Sequence, residues 1–379
     1  MKQLFLSVLL MFSTGLATAT PAPSLAPNAP AVAAKGYILQ DFHSGHVLAE
    51  KNADERLEPA SLTKLMTAYA VFHDLRSGKL QLSDTVRISR KAWRTPGSRM
   101  FVEVDTEVPV EDLLKGMIIQ SGNDASVALA EHIAGSEETF ALMMNEYARD
   151  LGMLSTHFVN ATGLPDAEHY STARDLALLT RALIREFPEY YRWYSEKSYT
   201  WNKIQQYNRN RLLWSDDSVD GVKTGHTDAA GYCLVSSAQR GDMRLISVIM
   251  GTRSEEARAQ ESLKLLNYGY RFFETRLLYS AAQPIKTMRV WKGKEDAVPL
   301  GVAEELYVTL PRGQYDKLQA SLTVERFIEA PAQKGQRYGT VNLRMGEQTI
   351  AERPLVALQE VPEGNLWRKV VDGLMLMFE

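Results

Sequence analysis

The chain has 379 residues, of which 45% are hydrophobic and 23% charged, and its formal net charge is -3. That length allows two domains and the composition is that of a folded globular protein, while the slight acidity argues against a nucleic-acid binder, which needs a basic excess. A single cysteine, Cys233, excludes an intramolecular disulfide, and without a C-x-x-C or H-x-x-x-H pair neither a metal nor another cofactor is expected.

The N-terminus carries Lys2, an apolar run over 4–12 and the small-residue triplet Ala17-Thr18-Ala19. The run is too short to span a bilayer, so a secretory signal is predicted over 1–19, with Ala31-Val32-Ala33 as an alternative cleavage site. Pro21, Pro23, Pro27 and Pro30 follow and predict a flexible leader over 20–34.

Folded sequence begins near Gly36, where GYILQD and HVLAEK flank Phe42-His43-Ser44-Gly45 as a hairpin. A helix is predicted from Ser61, with Leu62, Leu65, Met66 and Tyr69 along one face. VEDLLKGMIIQ and DASVALAEHIAG read as helices separated by Ser121-Gly122-Asn123, and STARDLALLTRALIREF as a further helix. GYCLVSSAQ and MRLISVIMG are strand-like, joined by a turn at Arg240-Gly241-Asp242, and a long helix over 254–274 follows. Strands flanking a helical block predict an α/β domain over 35–283, with helices on the sheet faces and a helical lobe beside it. Over 284–362 the segments MRVW, ELYVTL, LQASLTV and TVNLRM alternate between Gly, Pro and charged turns, the texture of a small all-β sandwich.

Residues 363–379 predict an amphipathic helix. Leu366, Trp367, Val370, Val371, Leu374, Met375, Met377 and Phe378 fall on one half of its wheel, and Arg368, Lys369, Asp372 and Glu379 on the other, with Leu376 the exception. It is too short to cross a membrane and fits either a helix lying in the interface or a terminal helix docked on its own protein.

Three motifs occur in order: Ser61 with Lys64, Ser121 with Asn123, and Lys223-Thr224-Gly225. Each alone is weak, since S-x-x-K also fits a helix cap, S-G-N-D a turn and K-T-G a strand start. Together they form the S-x-x-K, S-x-N, K-T-G set of β-lactamases and penicillin-binding proteins. Ser61 needs a base to become a nucleophile, and Lys64, one helical turn on, shares its face. A lysine can act as that base only if burial or a nearby cation lowers its pKa, and Lys223 is the candidate cation. Ser121 can relay a proton, Asn123 can bind a substrate amide, and Lys223 and Thr224 can bind a carboxylate. Gly225 lets a substrate backbone approach an edge strand. Backbone N–H groups of Ser61 and His226 can form an oxyanion hole, and His226 is itself a rival base.

With these motifs in place, the chain resembles the low-molecular-mass penicillin-binding proteins that act as serine-type D-Ala-D-Ala carboxypeptidases, especially the membrane-anchored type 5/6 group. The resemblance spans essentially the whole mature chain, through PASLTK, QSGNDA, YSTARDLAL, VDGVKTGHTDAAGY and LQEVPEGN. It implies a β-lactamase/transpeptidase-like catalytic domain and removal of the terminal D-alanine from peptidoglycan pentapeptide stems through an acyl-enzyme on Ser61. It also implies covalent inhibition by β-lactams and a periplasmic enzyme attached by its C-terminal helix to the outer face of the cytoplasmic membrane. Arg209 and Arg253 are implied as aids to carboxylate binding. The rivals are a β-lactamase, disfavoured because E-x-x-L-N is absent between Asn123 and Lys223, a catalytically dead wall-binding protein, and an endopeptidase cutting D-Ala cross-links.

Overall fold

The computed structural model describes residues 26–378; the predicted signal and residues 20–25 of the leader lie outside them. The larger domain is built on a five-stranded antiparallel sheet. Its strands are β1 (Gly36–Asp41), β2 (Val47–Lys51), β3 (Val219–Thr227), β4 (Gly231–Arg240) and β5 (Met243–Thr252). Their spatial order β2-β1-β5-β4-β3 leaves β3 at an edge. The main helices are α1 (Lys64–Arg76), α2 (Asn123–Ala134), α3 (Glu137–Asp150), α4 (Ala173–Glu186) and α5 (Glu255–Phe272).

Side-chain alternation sorts the sheet into two cores, as the period of two along a strand requires. Tyr37, Leu39, Leu245 and Ile249 pack with Leu265 and Leu266 of α5. Ile38, Ile246, Val248 and Met250 point the other way and join Leu65 and Met66 of α1 in the core of the helical lobe. The β1–β2 turn follows the expected hairpin: Gly45 has φ +74 and the Asp41 carboxylate accepts from Ser44 N and Oγ at 2.7 and 2.8 Å.

Two sequence expectations need correction here. The leader is not free from residue 26 onward: Ala26 and Val32 are buried with α5, and Tyr268 Oη and Lys264 Nζ donate to the carbonyls of Pro27 and Ala31 at 2.8 and 3.0 Å. Its prolines preset an extended path, and these contacts hold it there. The β-rich domain begins at 273 rather than 284, because helix α5 gives way at Phe273 to strand β6 (Phe273–Tyr279). The partner that pulls β6 out of the helix, Leu306–Pro311, lies downstream in the same β-rich domain.

That domain contains β7 (Lys286–Trp291), β8 (Ala297–Gly301), β9 (Leu306–Pro311), β10 (Leu318–Val324), β11 (Ile328–Glu329), β12 (Arg337–Met345) and β13 (Gln348–Ala357). Strands β6 and β9 pair, and the others form a six-stranded sheet ordered β10-β12-β13-β8-β7-β11. Val290, Leu300, Val308, Val341 and Leu355 fill the core.

The chain continues into helix α6 (Leu366–Leu376), capped by Asn365 Oδ1, which accepts from Arg368 N at 2.9 Å. This helix docks by its polar side. Asp372 is 3% exposed, while Trp367 is 77% and Phe378 90% exposed. Asp372 Oδ2 accepts from Lys292 N at 2.6 Å, and Arg368 and Lys369 pair with Asp296 and Glu363. Among the described residues no helix is long and apolar enough to cross a membrane.

Candidate active site

Ser61 stands in a 3-10 turn, Ala60–Thr63, rather than in the α-helix expected there. The α-helix starts at Lys64, and the turn still places Ser61 and Lys64 on one side. Ala60 adopts φ 46, a left-handed conformation that a side-chain-bearing residue seldom takes. Packing against Gly163 makes that geometry sterically specific: a Cβ on Gly163 would lie 1.8 Å from the Ala60 carbonyl oxygen.

Lys64 is 1% exposed. Its ammonium nitrogen reaches Ser61 Oγ at 2.9 Å, Asn123 Oδ1 at 2.7 Å and the Thr162 carbonyl at 2.6 Å. Burial, and after it the Arg209 charge, bring its pKa down to about 7 against the opposing pull of Asp124 and Glu137. The sequence pointed to Lys223 as the tuning cation; Arg209 takes that place beside Lys64. Lys223 is itself held well below its ordinary value by burial and then by Lys64, Arg209 and Arg258.

Ser121 meets Lys223. It ends the π-helical turn Gly116–Gln120 with φ 69, and its Oγ accepts from Lys223 Nζ at 2.9 Å. A buried serine in the left-handed region is local strain of the kind concentrated at functional sites. Asn123 opens α2 rather than standing in a free loop. Its Nδ2 donates to the Pro96 carbonyl at 2.6 Å, which leaves one amide hydrogen for a substrate.

Lys223, Thr224, Gly225 and His226 lie along edge strand β3, with the ladder to β4 on one side only. Gly225 also makes a close approach within the protein. A Cβ there would sit 3.0 Å from the Pro59 carbonyl and 3.3 Å from Leu62, so its lack of a side chain seats the strand against the turn carrying Ser61. The His226 ring lies 4.0 Å from that of Tyr232 and is exposed at the cleft rim.

Ser61, Ser121, Asn123, Thr224, Gly225 and His226 converge on one cleft of about 470 Å³. Arg209 also lines it, whereas Arg253 does not and is exposed. The arginine that lines the cleft in its stead is Arg258, one turn into α5, donating to the Gly225 carbonyl at 3.3 Å and lying over Tyr232. Lys64 and Lys223 are buried and do not line the cleft, and its cationic end, formed by Arg209 and Arg258, suits a carboxylate. Glu255 is the one carboxylate among the cleft-lining residues described, and it is paired with Arg211 at 3.0 Å.

Sequence reasoning missed three supports. Thr162 and Gly163 are held by Asn160 Oδ1, which accepts from both backbone N–H groups; NATGL shows an Asx-turn composition but not its target. Asp124 accepts from the backbone N–H groups of Met100, Phe101 and Val102, fixing the loop that walls the cleft. His169, driven down to about 4 by burial, bonds Thr63 Oγ1 at 2.7 Å beside Lys64.

Comparison with known proteins gives a consistent pattern. Residues 24–254 match the D-alanyl-D-alanine carboxypeptidase family, and residues 273–363 match the penicillin-binding protein 5, C-terminal domain, family. The D-alanyl-D-alanine carboxypeptidase DacA of Escherichia coli (strain K12) is 47% identical over 363 residues, covering 94% of this chain and 90% of that protein. Penicillin binding protein 5 from Haemophilus influenzae superposes with a TM-score of 0.84 at 42% identity, covering 89% of this chain and 100% of that one. Penicillin-Binding Protein D2 from Listeria monocytogenes, solved in an ampicillin-bound form, aligns with a TM-score of 0.59 at 33% identity over 64% of this chain and 99% of that one.

Proposed function

The chain belongs to the D-alanyl-D-alanine carboxypeptidase family, and from that premise we propose that Ser61 is its nucleophile, Lys64 the base and Ser121 the proton relay. The observation that carries the assignment is the buried Lys64 amine 2.9 Å from Ser61 Oγ with a pKa near 7.

The substrate's terminal carboxylate enters the cationic end of the cleft, at Thr224, Arg209 and Arg258, next to buried Lys223. Neutral Lys64 takes the Ser61 proton as Oγ attacks the carbonyl of the penultimate D-alanine. The backbone N–H groups of Ser61 and His226 receive the oxyanion; losing one such donor typically costs about 10²–10³ in rate. Ser121, held by Lys223, relays the proton from Lys64 to the departing amine, D-alanine leaves, and Lys64 is neutral again for the attack of water. Water then hydrolyses the ester. A β-lactam acylates the same serine, but its amine stays tethered and blocks the return path. Among the described residues the one carboxylate lining the cleft, Glu255, is paired with Arg211, which disfavours the rapid lactam turnover of class A β-lactamases. Intact-mass spectrometry after penicillin treatment should show one adduct on the peptide containing Ser61; labelling that persists in Ser61→Ala overturns the assignment.

The outward apolar side of α6 supports attachment to the outer face of the cytoplasmic membrane in the periplasm, after removal of the N-terminal signal. The exposed Leu366, Trp367, Val370, Leu374 and Met375, with Val371 and Phe378, are the insertion face. Deleting residues 363–379 should move the enzyme to the soluble fraction with its activity on soluble peptides intact. A truncated enzyme that still pellets with membranes places the anchor elsewhere.

A further inference from the structure

A second cleft, of about 560 Å³, opens where the α/β domain meets the β-rich domain. Arg181 and Arg185 of α4 line it from one side, and Arg337 and Arg353 of β12 and β13 from the other. The two on α4 are four residues apart on one helix face, a like-charge spacing that destabilises a helix unless something answers it. Among the described residues, no carboxylate lies within ion-pair distance of Arg181, Arg337 or Arg353, and Arg185 reaches only its neighbour Glu186, at 3.4 Å. Glu304 and Glu305 share the cleft yet pair with none of the four.

The cleft is built rather than incidental. Arg181 is pinned by donating to the carbonyls of Phe42 and His43 at 2.6 and 2.8 Å. The domain contact beside it is latched. Thr275 Oγ1 donates to buried Asp41 at 2.7 Å, Ser44 and Thr309 hydroxyls meet at 2.6 Å, and His43 stacks on Tyr307 at 4.4 Å. Burial and then the Arg185 charge hold Arg181 below its ordinary value against the opposing pull of Asp41 and Glu304. Guanidinium forks match carboxylates bidentately, and Val302, Pro354 and Val356 give the cleft apolar walls.

We propose that this interdomain cleft binds the carboxylates of a second, non-reacting wall peptide, holding the polymer while another stem is trimmed at the catalytic cleft. The proposal rests on the family's peptidoglycan substrate and not on the assignment of Ser61. A wall peptide combines free carboxylates with alanine methyl groups, which is the mixture this cleft offers partners for.

The test uses the mature protein after penicillin treatment, with complete adduct formation verified by intact mass, so that the catalytic cleft is closed. Binding of a fluorescent disaccharide-tetrapeptide, which lacks the scissile bond, is then measured against the variant carrying both Arg185→Glu and Arg353→Glu. Both side chains are exposed, and an unchanged acylation rate shows that the variant is folded. The acylated wild type should bind, and the variant should bind about tenfold more weakly, the equivalent of two exposed charge pairs. D-alanine release from a short soluble peptide should be equal in the two proteins, and release from intact sacculi lower in the variant. Absence of binding to the acylated wild type at millimolar ligand overturns the proposal, as does equal binding by both proteins. A charge-reversal effect confined to anionic phospholipid vesicles assigns the cleft to lipid headgroups and overturns it too. Failure of penicillin to form the adduct is seen in the mass spectrum first and counts against the Ser61 reading alone.

Discussion

The pH dependence of acylation gives the sharpest test of the Lys64 assignment. An ordinary lysine titrates at 10.5, and at neutral pH only about 3 in 10⁴ are unprotonated. In the folded enzyme burial and Arg209 bring Lys64 to about 7, so about half of the molecules hold a competent base, a gain of about 10³. Keeping Lys64 charged at that site costs on the order of 5 kcal/mol relative to water. The second-order rate constant for acylation by a fluorescent penicillin, followed by stopped flow from pH 5.5 to 9, should rise about tenfold per unit below pH 7 and level off above it. The charge on Lys64 in turn helps to hold Lys223 down, so Lys223 is read out through the same profile. Arg209→Gln removes a cation that lowers both and should move the midpoint upward. Lys64→Ala should acylate more slowly by about 10²–10⁴ above pH 7, the gap narrowing as pH falls. A flat profile, a midpoint that stays near 10, or a Lys64→Ala rate within tenfold of wild type above pH 7 refutes the reasoning.

Three further outcomes follow from the geometry. Asp124→Asn weakens the charge-assisted bonds to Met100, Phe101 and Val102; it should lower the melting temperature by the equivalent of about 1.5–3 kcal/mol and raise KM for peptides more than it lowers kcat. Gly163→Ala drives a Cβ into the Ala60 carbonyl and should abolish penicillin labelling, whereas Gly152→Ala, with φ +77 and no atom within 4 Å, should cost only about 1 kcal/mol of backbone strain in a denaturant melt. Lys64 also links stability to pH. The unfolded chain keeps the proton up to 10.5 while the folded one loses it near 7, so the unfolded state binds more protons in that window and stability rises with pH from 7 toward 10.5. Lys64→Met should remove that share of the slope between pH 7 and 9, and thermal melts of the two proteins with parallel pH dependence would count against it.

The three motifs were legible because each carries its chemistry in a short span. Ser61 and Lys64 stay on one side whether the backbone is 3-10 or α-helical, so the error over the helix start did not disturb their pairing. The meeting of Lys223 with Ser121 across about a hundred residues could be inferred only because the motif set was recognised; no local pattern encodes it. Arg258 was missed for a related reason. Arg253 stands nearer the K-T-G strand in sequence, but one turn of α5 swings Arg258 over Tyr232 and into the cleft. The domain boundary was misplaced because FETRLLY continues a helix-compatible stretch, and its strand state is imposed by pairing with Leu306–Pro311. Asp124 reads in sequence as an ordinary first-turn acid of α2, yet its oxygens serve a loop more than twenty residues earlier. Local chemistry was readable and long-range acceptance of hydrogen bonds was not.

The side by which helix α6 docks bears on the proposed membrane attachment. A terminal helix docked for stability turns its apolar half inward, since burying a large apolar side chain contributes roughly 1.5–3 kcal/mol. Helix α6 does the reverse. The group buried most deeply is the Asp372 carboxylate, answered by Lys292 N–H, Arg368 and, at 3.7 Å, Arg289. Removing that carboxylate's partners would strand a buried charge, so the polar contacts fix the helix against the β-rich domain and leave Leu366, Trp367, Val370 and Leu374 facing out. Clustered exposure of large apolar groups on one face calls for a partner. At 11 residues the helix reaches about 16 Å, half of a bilayer core, so it can lie in an interface but not cross one. Because its basic residues are engaged with Asp296, Asp372 and Glu363, little positive charge is left for anionic headgroups. In the proposed attachment apolar insertion would therefore dominate, and raising the salt concentration should release little enzyme.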